Sequence, residues 1–192
     1  MVRNMISPEK EAELINKYRY DVVGHRDWED DIRHQFNDML YEQCGMRAVY
    51  ITYDMDRGWA NFTARAIRLS EFLQRTSLDT KYPEWMLRDG YVSLDSYSTL
   101  RNDCSVAINA NAVVYGLYEN NDEDAFKIAL EKVLLDTSDD TREAMTNDIK
   151  KFFTGMCSEL WYMLNEEYSY LTSDEAVWEH IVINKYHLED KE

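Results

Sequence analysis

The segment Asp140–Leu171 constrains the fold more than any other stretch of the chain. Apolar residues recur in it at Met145, Ile149, Phe152, Phe153, Met156, Leu160, Met163, Leu164 and Leu171. That is the i, i+3, i+4, i+7 spacing of a helix with one buried stripe. No proline interrupts it, and Gly155 is its only glycine. Asp140 and Glu143 stand at capping-box spacing at its start. A continuous helix here is roughly 45 Å long at about 1.5 Å per residue. An apolar stripe of that length must be covered, so the segment reads as the spine on which the other elements pack.

The N-terminal part, 7–45, is helical by the same logic. Ser7-Pro8-Glu9 sets a capping residue, a proline at the first helical position and an acid at the positive end of the dipole. The helix it starts is expected to reach Tyr20, with Gly24 separating it from a second helix over Asp27–Cys44. Trp28, Ile32, Phe36, Met39 and Leu40 form the stripe of that second helix, and Gly45 supplies its stop.

The middle, 47–118, changes period. Arg47–Tyr53 and Trp59–Leu69 alternate and are rich in β-formers, with Asp54-Met55-Asp56-Arg57-Gly58 as the turn between them, so a β-hairpin is expected. A short helix is expected at Ser70–Thr76 and another after Pro83, ended by Gly90. Tyr91–Tyr97 fits a strand or an extended loop, and Ser105–Tyr115 a further strand. In the C-terminal part, 122–184, Asn120-Asn121-Asp122 reads as loop and cap and Ala125–Leu135 as a helix before the spine. Thr172-Ser173-Asp174-Glu175 fits a T-x-x-E capping box that opens a last helix over Asp174–Asn184, with Val177, Trp178, Ile181 and Val182 facing inward. The sum is one α+β domain over 1–192: a small antiparallel sheet of about three strands, covered by long amphipathic helices.

Charge bounds the function. The chain has 37 acids against 21 bases, a net charge of −16. Residues 47–118 are neutral, whereas 119–151 carry −5 and 152–192 carry −7. This balance opposes direct binding to nucleic acid or anionic lipid; it allows binding to a basic surface, and it also fits a charge that serves solubility alone. No run of about 18 apolar residues marks a membrane span. The first ten residues lack the apolar core of a signal peptide. Cys44, Cys104 and Cys157 are odd in number and form no C-x-x-C, which fits reduced thiols in the cytoplasm.

Motifs that name a reaction are absent: there is no G-x-S-x-G, Walker A loop, G-x-G-x-x-G or H-E-x-x-H. No cofactor is therefore expected. Asp54 and Asp56 form a D-x-D that could hold Mg²⁺, but aspartate is also a common turn residue because it caps its own backbone. Asp30 and His34 share a helix face and read as a surface pair. Trp161, Tyr162, Tyr168 and Tyr170 cluster on the spine helix among Glu159, Glu166 and Glu167, which would repel phosphate; core packing and a protein interface share these rings. The acidic runs include Asp136, Asp139, Asp140 and Glu143. Carboxylates on a rigid helix can imitate the spacing of backbone phosphates, and a basic groove could accept them in place of DNA.

Two stretches carry a resemblance. Glu166–Ile181 resembles the E-Y-x-Y-L-x-S-D-E-x-V-x-E-x-I segment of small proteins encoded by tailed bacteriophages, continued by Asn184-x-Tyr186. The hairpin Tyr53–Thr63 occupies the place of their Ser-Gln-Gly-Asp-Gly-Ala-Ser-Phe turn; Gly58, Ala60 and Phe62 match, but the Ser-Gln-Gly-Asp core is replaced. The resemblance implies a phage origin and a host-cytoplasm setting, and it transfers no catalytic residue. The leading expectation is a non-enzymatic accessory protein that inhibits or redirects a host protein acting on nucleic acid. Asp136, Asp139, Asp140, Glu143, Glu159, Glu166 and Glu167 would meet the basic surface, with Trp161 and Tyr162 as anchors. The alternatives are a small metal-dependent enzyme using Asp54 and Asp56, and a self-associating protein whose aromatic helix makes a homodimer.

Overall fold

A computed structural model describes residues 6–24, 27–98, 103–112 and 139–186. In chain order these form helices α1 (Pro8–Tyr18), α2 (Asp21–Gly24) and α3 (Asp27–Cys44), then strands β1 (Ala48–Asp54) and β2 (Trp59–Arg68). Helix α4 (Leu69–Arg75), a 3-10 turn (Pro83–Leu87), and strands β3 (Arg88–Ser98) and β4 (Asp103–Ala112) follow. Helices α5 (Asp139–Leu171) and α6 (Asp174–Ile183) complete the described chain. The class is α+β, as the hydrophobic periods imply. The expected helix at Ala125–Leu135, its cap at Asn120–Asp122, and residues 113–115 of the expected last strand lie outside the described residues.

The chain divides into two compact units, one of residues 1–33 with 162–192 and one of residues 34–161. In the second, four strands make an antiparallel meander in the order β1-β2-β3-β4. The segment Tyr91–Tyr97, left open between strand and loop, is a strand, which brings the count to four. It starts at Arg88, so Gly90 pairs with Ala110 inside the sheet rather than ending a helix. Asp54 pairs with Trp59 across the hairpin turn, and Gly58 takes φ +71° to close it. The sheet buries Ile51, Phe62, Ala64, Val92 and Leu94 on one face. Phe36 of α3 and Phe153 of α5 meet Phe62 edge-on, at ring separations of 5.0 and 6.2 Å, within the range where aromatic pairs attract beyond simple burial. A bulge between Ala64 and Ile67 shifts the β2–β3 register. It breaks the expected alternation: Arg65 and Ala66 are both exposed.

The loop before the 3-10 turn is tied to α5 by one carboxylate. Tyr82, almost fully buried, donates its hydroxyl to Asp148 Oδ2 at 2.7 Å, and Lys81 Nζ reaches the same oxygen at 2.5 Å. Hydrogen bonds from Lys81 and Tyr82 hold the Asp148 carboxyl below its ordinary value of 3.8, and the bond to Asp148 holds Lys81 above 10.5. Burial, then the same carboxylate, raises the Tyr82 phenol above 10.0. The sign follows from linkage: the depressed carboxyl adds stability that is lost as pH falls through its folded value, below about 4, whereas the raised lysine and phenol add stability that is lost above about pH 10. Tyr82→Phe is expected to cost about 1 kcal/mol between those limits. Urea unfolding over a series of pH values descending from 7 checks it; a cost that does not shrink as the carboxyl is protonated would argue against a bond to an ionised carboxylate.

In the unit of residues 1–33 and 162–192, α1 packs against α6 through Leu14, Ile15, Tyr18, Val177, Trp178 and Ile181. Tyr18 and Tyr186 stack with ring centroids 4.5 Å apart. Ser7 caps α1 as expected, accepting from the Lys10 amide at 3.3 Å. The α6 cap is corrected. Ser173 accepts from the Ala176 amide, while Thr172 turns its hydroxyl back to the Tyr168 carbonyl at 2.8 Å. Asp140, too, lies within α5 rather than at its cap, since Asp139 before it is already helical. Arg19, just past α1, donates to the Thr172 carbonyl and to Asp174 Oδ1, both at 2.6 Å. One guanidinium thereby serves a carbonyl at the end of α5 and an acid of the first turn of α6.

Candidate interaction surface

Helix α5 buries Leu164 and leaves Tyr162, Glu166, Ser169 and Tyr170 exposed. These four recur at spacings of three and four residues, so they share one helix face. Tyr162 is 62% exposed and Tyr170 58%, high for rings that are usually at least half-buried. Eight residues separate them, or about 12 Å along the axis, with Glu166 midway. Glu159, also exposed, lies one turn earlier on the same helix.

The aromatic cluster read from the sequence is thus divided by the fold. Tyr168 is half-buried against Trp28, with ring centroids 6.3 Å apart. Trp161 is half-buried beside the hairpin turn, where its ring lies 3.9 Å from the position a Cβ would take on Gly58. Only Tyr162 and Tyr170 of the four present free rings. Among the acids, Asp140, Glu143, Glu159 and Glu166 are exposed and Glu167 is half-buried. Asp139 is the first described residue of α5, and Asp136 lies outside the described residues.

The electrostatics of this surface follow from composition. The 64 residues of its unit contain 16 acids and eight bases. Three of those bases are engaged at home: Lys10 with Glu13, Arg19 with Asp174, and Arg33 with Glu29 and Asp30. Glu175 and Glu179 stand exposed at i, i+4 on α6. A basic ligand approaching this unit meets an excess of uncompensated carboxylates.

The other candidates resolve into structure. Asp54 accepts from the Arg57 amide at 3.0 Å and faces the Arg57 guanidinium at 3.6 Å, so it closes the hairpin turn. Among the described residues no group of three or more His, Cys, Asp or Glu side chains is placed to hold a metal ion. Cys44 and Cys157 are buried and form no disulfide; Cys44 donates to the Leu40 carbonyl at 3.2 Å, and burial pushes its thiol up to about 11, far from a nucleophile's range. His34 is exposed, His180 lies edge-on to Tyr186, and His25 and His187 lie outside the described residues. No described helix is long and apolar enough to cross a membrane.

Sequence reasoning missed a basic surface on the unit of residues 34–161. Arg47 and Arg75 both lie over the Tyr41 ring, at 5.0 and 5.2 Å from its centroid. Arg65 and Arg68 are exposed on β2. The neutral net charge of 47–118 concealed these arginines; Arg75 is paired with Glu71 at 3.1 Å, whereas Arg65 and Arg68 have no ion pair among the described residues. No family model matches the chain, and neither a curated protein nor a solved structure matches it.

Proposed function

We propose that the protein is a non-enzymatic binding protein that inhibits or redirects a partner through the Tyr162–Glu166–Tyr170 face of α5. The observation that carries this reading is the placement of two open tyrosine rings around a glutamate, on one rigid helix, in the unit with the higher ratio of acids to bases. Tyrosines supply apolar area with a polar tip and little entropy to lose, so they serve as anchors. The surrounding carboxylates steer encounter and reject acidic competitors. The partner that fits is a protein with a basic surface, such as one that otherwise holds nucleic acid. The phage-like segment Glu166–Ile181 overlaps this face at Glu166 and Tyr170, which supports a phage accessory protein acting on a host factor in the bacterial cytoplasm.

The test is capture from bacterial lysate by tagged protein, at low salt and at about 0.5 M, where screening shortens to a few Å. One stoichiometric partner is expected at low salt, with loss at high salt. Glu166→Lys and Tyr162→Ala should each weaken capture roughly tenfold or more. Capture unchanged by both substitutions, or no partner at either salt, would remove the reading.

A further inference from the structure

Around the β2 bulge the outer face of the sheet sets two arginines together, in a chain whose net charge is −16. Val92 and Leu94 point into the core, so Tyr91 points out, and its register partner Arg68 shares that face. Ala64 points in, so Arg65 points out. Ile51 points in, so Tyr50 and its partner Thr63 lie on the outer face, one residue pair from Arg65. Diagonal neighbours of that kind are within reach of long side chains. Tyr50 is 63% exposed and Tyr91 48%. The bulge between Ala64 and Ile67 keeps Arg65 and Arg68 both outward where strict alternation would have turned one of them inward.

Neither Arg65 nor Arg68 makes an ion pair among the described residues. That is unexpected in a chain with 37 acids for 21 bases, where Lys10, Arg19, Arg33, Arg57, Arg75 and Lys81 all find carboxylates. Two unpaired guanidinium groups between two open tyrosine rings form a site for a carboxylate-bearing surface that also offers rings, since guanidinium binds carboxylate bidentately and stacks on aromatic faces. The α5 face described above has that chemistry: Glu166 flanked by Tyr162 and Tyr170. The net charge of −16 weighs against a phosphate backbone as the ligand.

We propose that the Arg65–Arg68–Tyr50–Tyr91 face of the sheet docks the acidic Tyr162–Glu166–Tyr170 face of a second copy of the chain. The contact joins two different patches, so it is heterologous, and each copy keeps one patch of each kind free for the next. Association therefore grows with protein concentration and falls with salt. It stands apart from the host-partner reading, although it occupies the same helix face and would compete with that partner.

Purified protein alone tests it, by light scattering and sedimentation over a wide concentration range at low and high salt. Mass should rise with concentration at low salt and fall back to the monomer at high salt. Arg65→Glu with Arg68→Glu, and separately Glu166→Lys with Tyr162→Ala, should each abolish the rise. Mixing the two variants should restore a one-to-one complex, because one keeps an intact acidic face and the other an intact basic face. Arg65→Gln with Arg68→Gln, checked by an unchanged far-UV spectrum, serves if the glutamate variant fails to fold. A wild type monomeric at every concentration, variants that associate like wild type, or mixing that restores nothing would each overturn the proposal. So would a monomer that instead binds a single-stranded oligonucleotide through Arg65 and Arg68, which would reassign the face to nucleic acid. Failure here leaves lysate capture untouched, so the two readings fail separately.

Discussion

Phe153→Ala is expected to lower the stability of the sheet-bearing unit by about 3–5 kcal/mol, the range for deleting a buried ring that its neighbours cannot replace. Phe153 is fully buried, with Phe72 at 5.6 Å and Phe152 at 5.5 Å between ring centroids and Phe62 slightly further away. These neighbours come from α4, from α5 itself and from the sheet, so no single element can shift to close the cavity without dragging the others. Phe153→Leu keeps most of the volume and should cost less than half as much. Urea unfolding followed by far-UV circular dichroism reads both. An alanine variant within about 1 kcal/mol of wild type would mean that the ring does not sit in a packed core.

Gly45→Ala carries the second large effect, for two separate reasons. Gly45 ends α3 at φ +78°, where an L side chain is strained by roughly 1–2 kcal/mol. A Cβ at this position would also lie 2.6 Å from Ile67 Cδ1 and 2.8 Å from Arg75 Nε. The arginine can swing away, but Ile67 belongs to a strand held on both sides, so overpacking adds about 1–3 kcal/mol. The two terms separate in a double variant. Ile67→Val removes the clashing methyl, so Gly45→Ala with Ile67→Val should be more stable than the two single costs added together predict. Simple additivity would assign the whole effect to backbone strain.

The elements legible in the sequence were those whose period runs long. The end of α3 follows from Gly45, and α5 runs unbroken to Leu171 as its stripe predicts. Short-range competition was less readable. At the α5–α6 junction, Thr172 and Ser173 both offer a hydroxyl, and only the backbone geometry decides that Ser173 caps while Thr172 bonds back to Tyr168. Gly90 looks like a helix stop, but its place in β3 depends on pairing with a strand about twenty residues away. The site was half legible. An acid and aromatic cluster on α5 was plain, yet which rings stay open depends on Trp28 reaching Tyr168 and on the hairpin turn reaching Trp161. The arginine face left no signal in net charge, because it is made by a bulge that no alternation rule anticipates.

The Arg19 clamp has a consequence for how the chain reaches its native state. Its bond to the Thr172 carbonyl joins residues 153 apart in sequence, and the whole α1–α6 core closes a loop of similar length. The sheet, by contrast, pairs only strands that follow one another. Loop-closure entropy therefore favours early formation of the meander, and α1 must wait for the last helix to be synthesised before it finds its partner. During that interval Leu14, Ile15 and Tyr18 stay uncovered, so α1 is exposed to chaperones and proteases until α6 has been made.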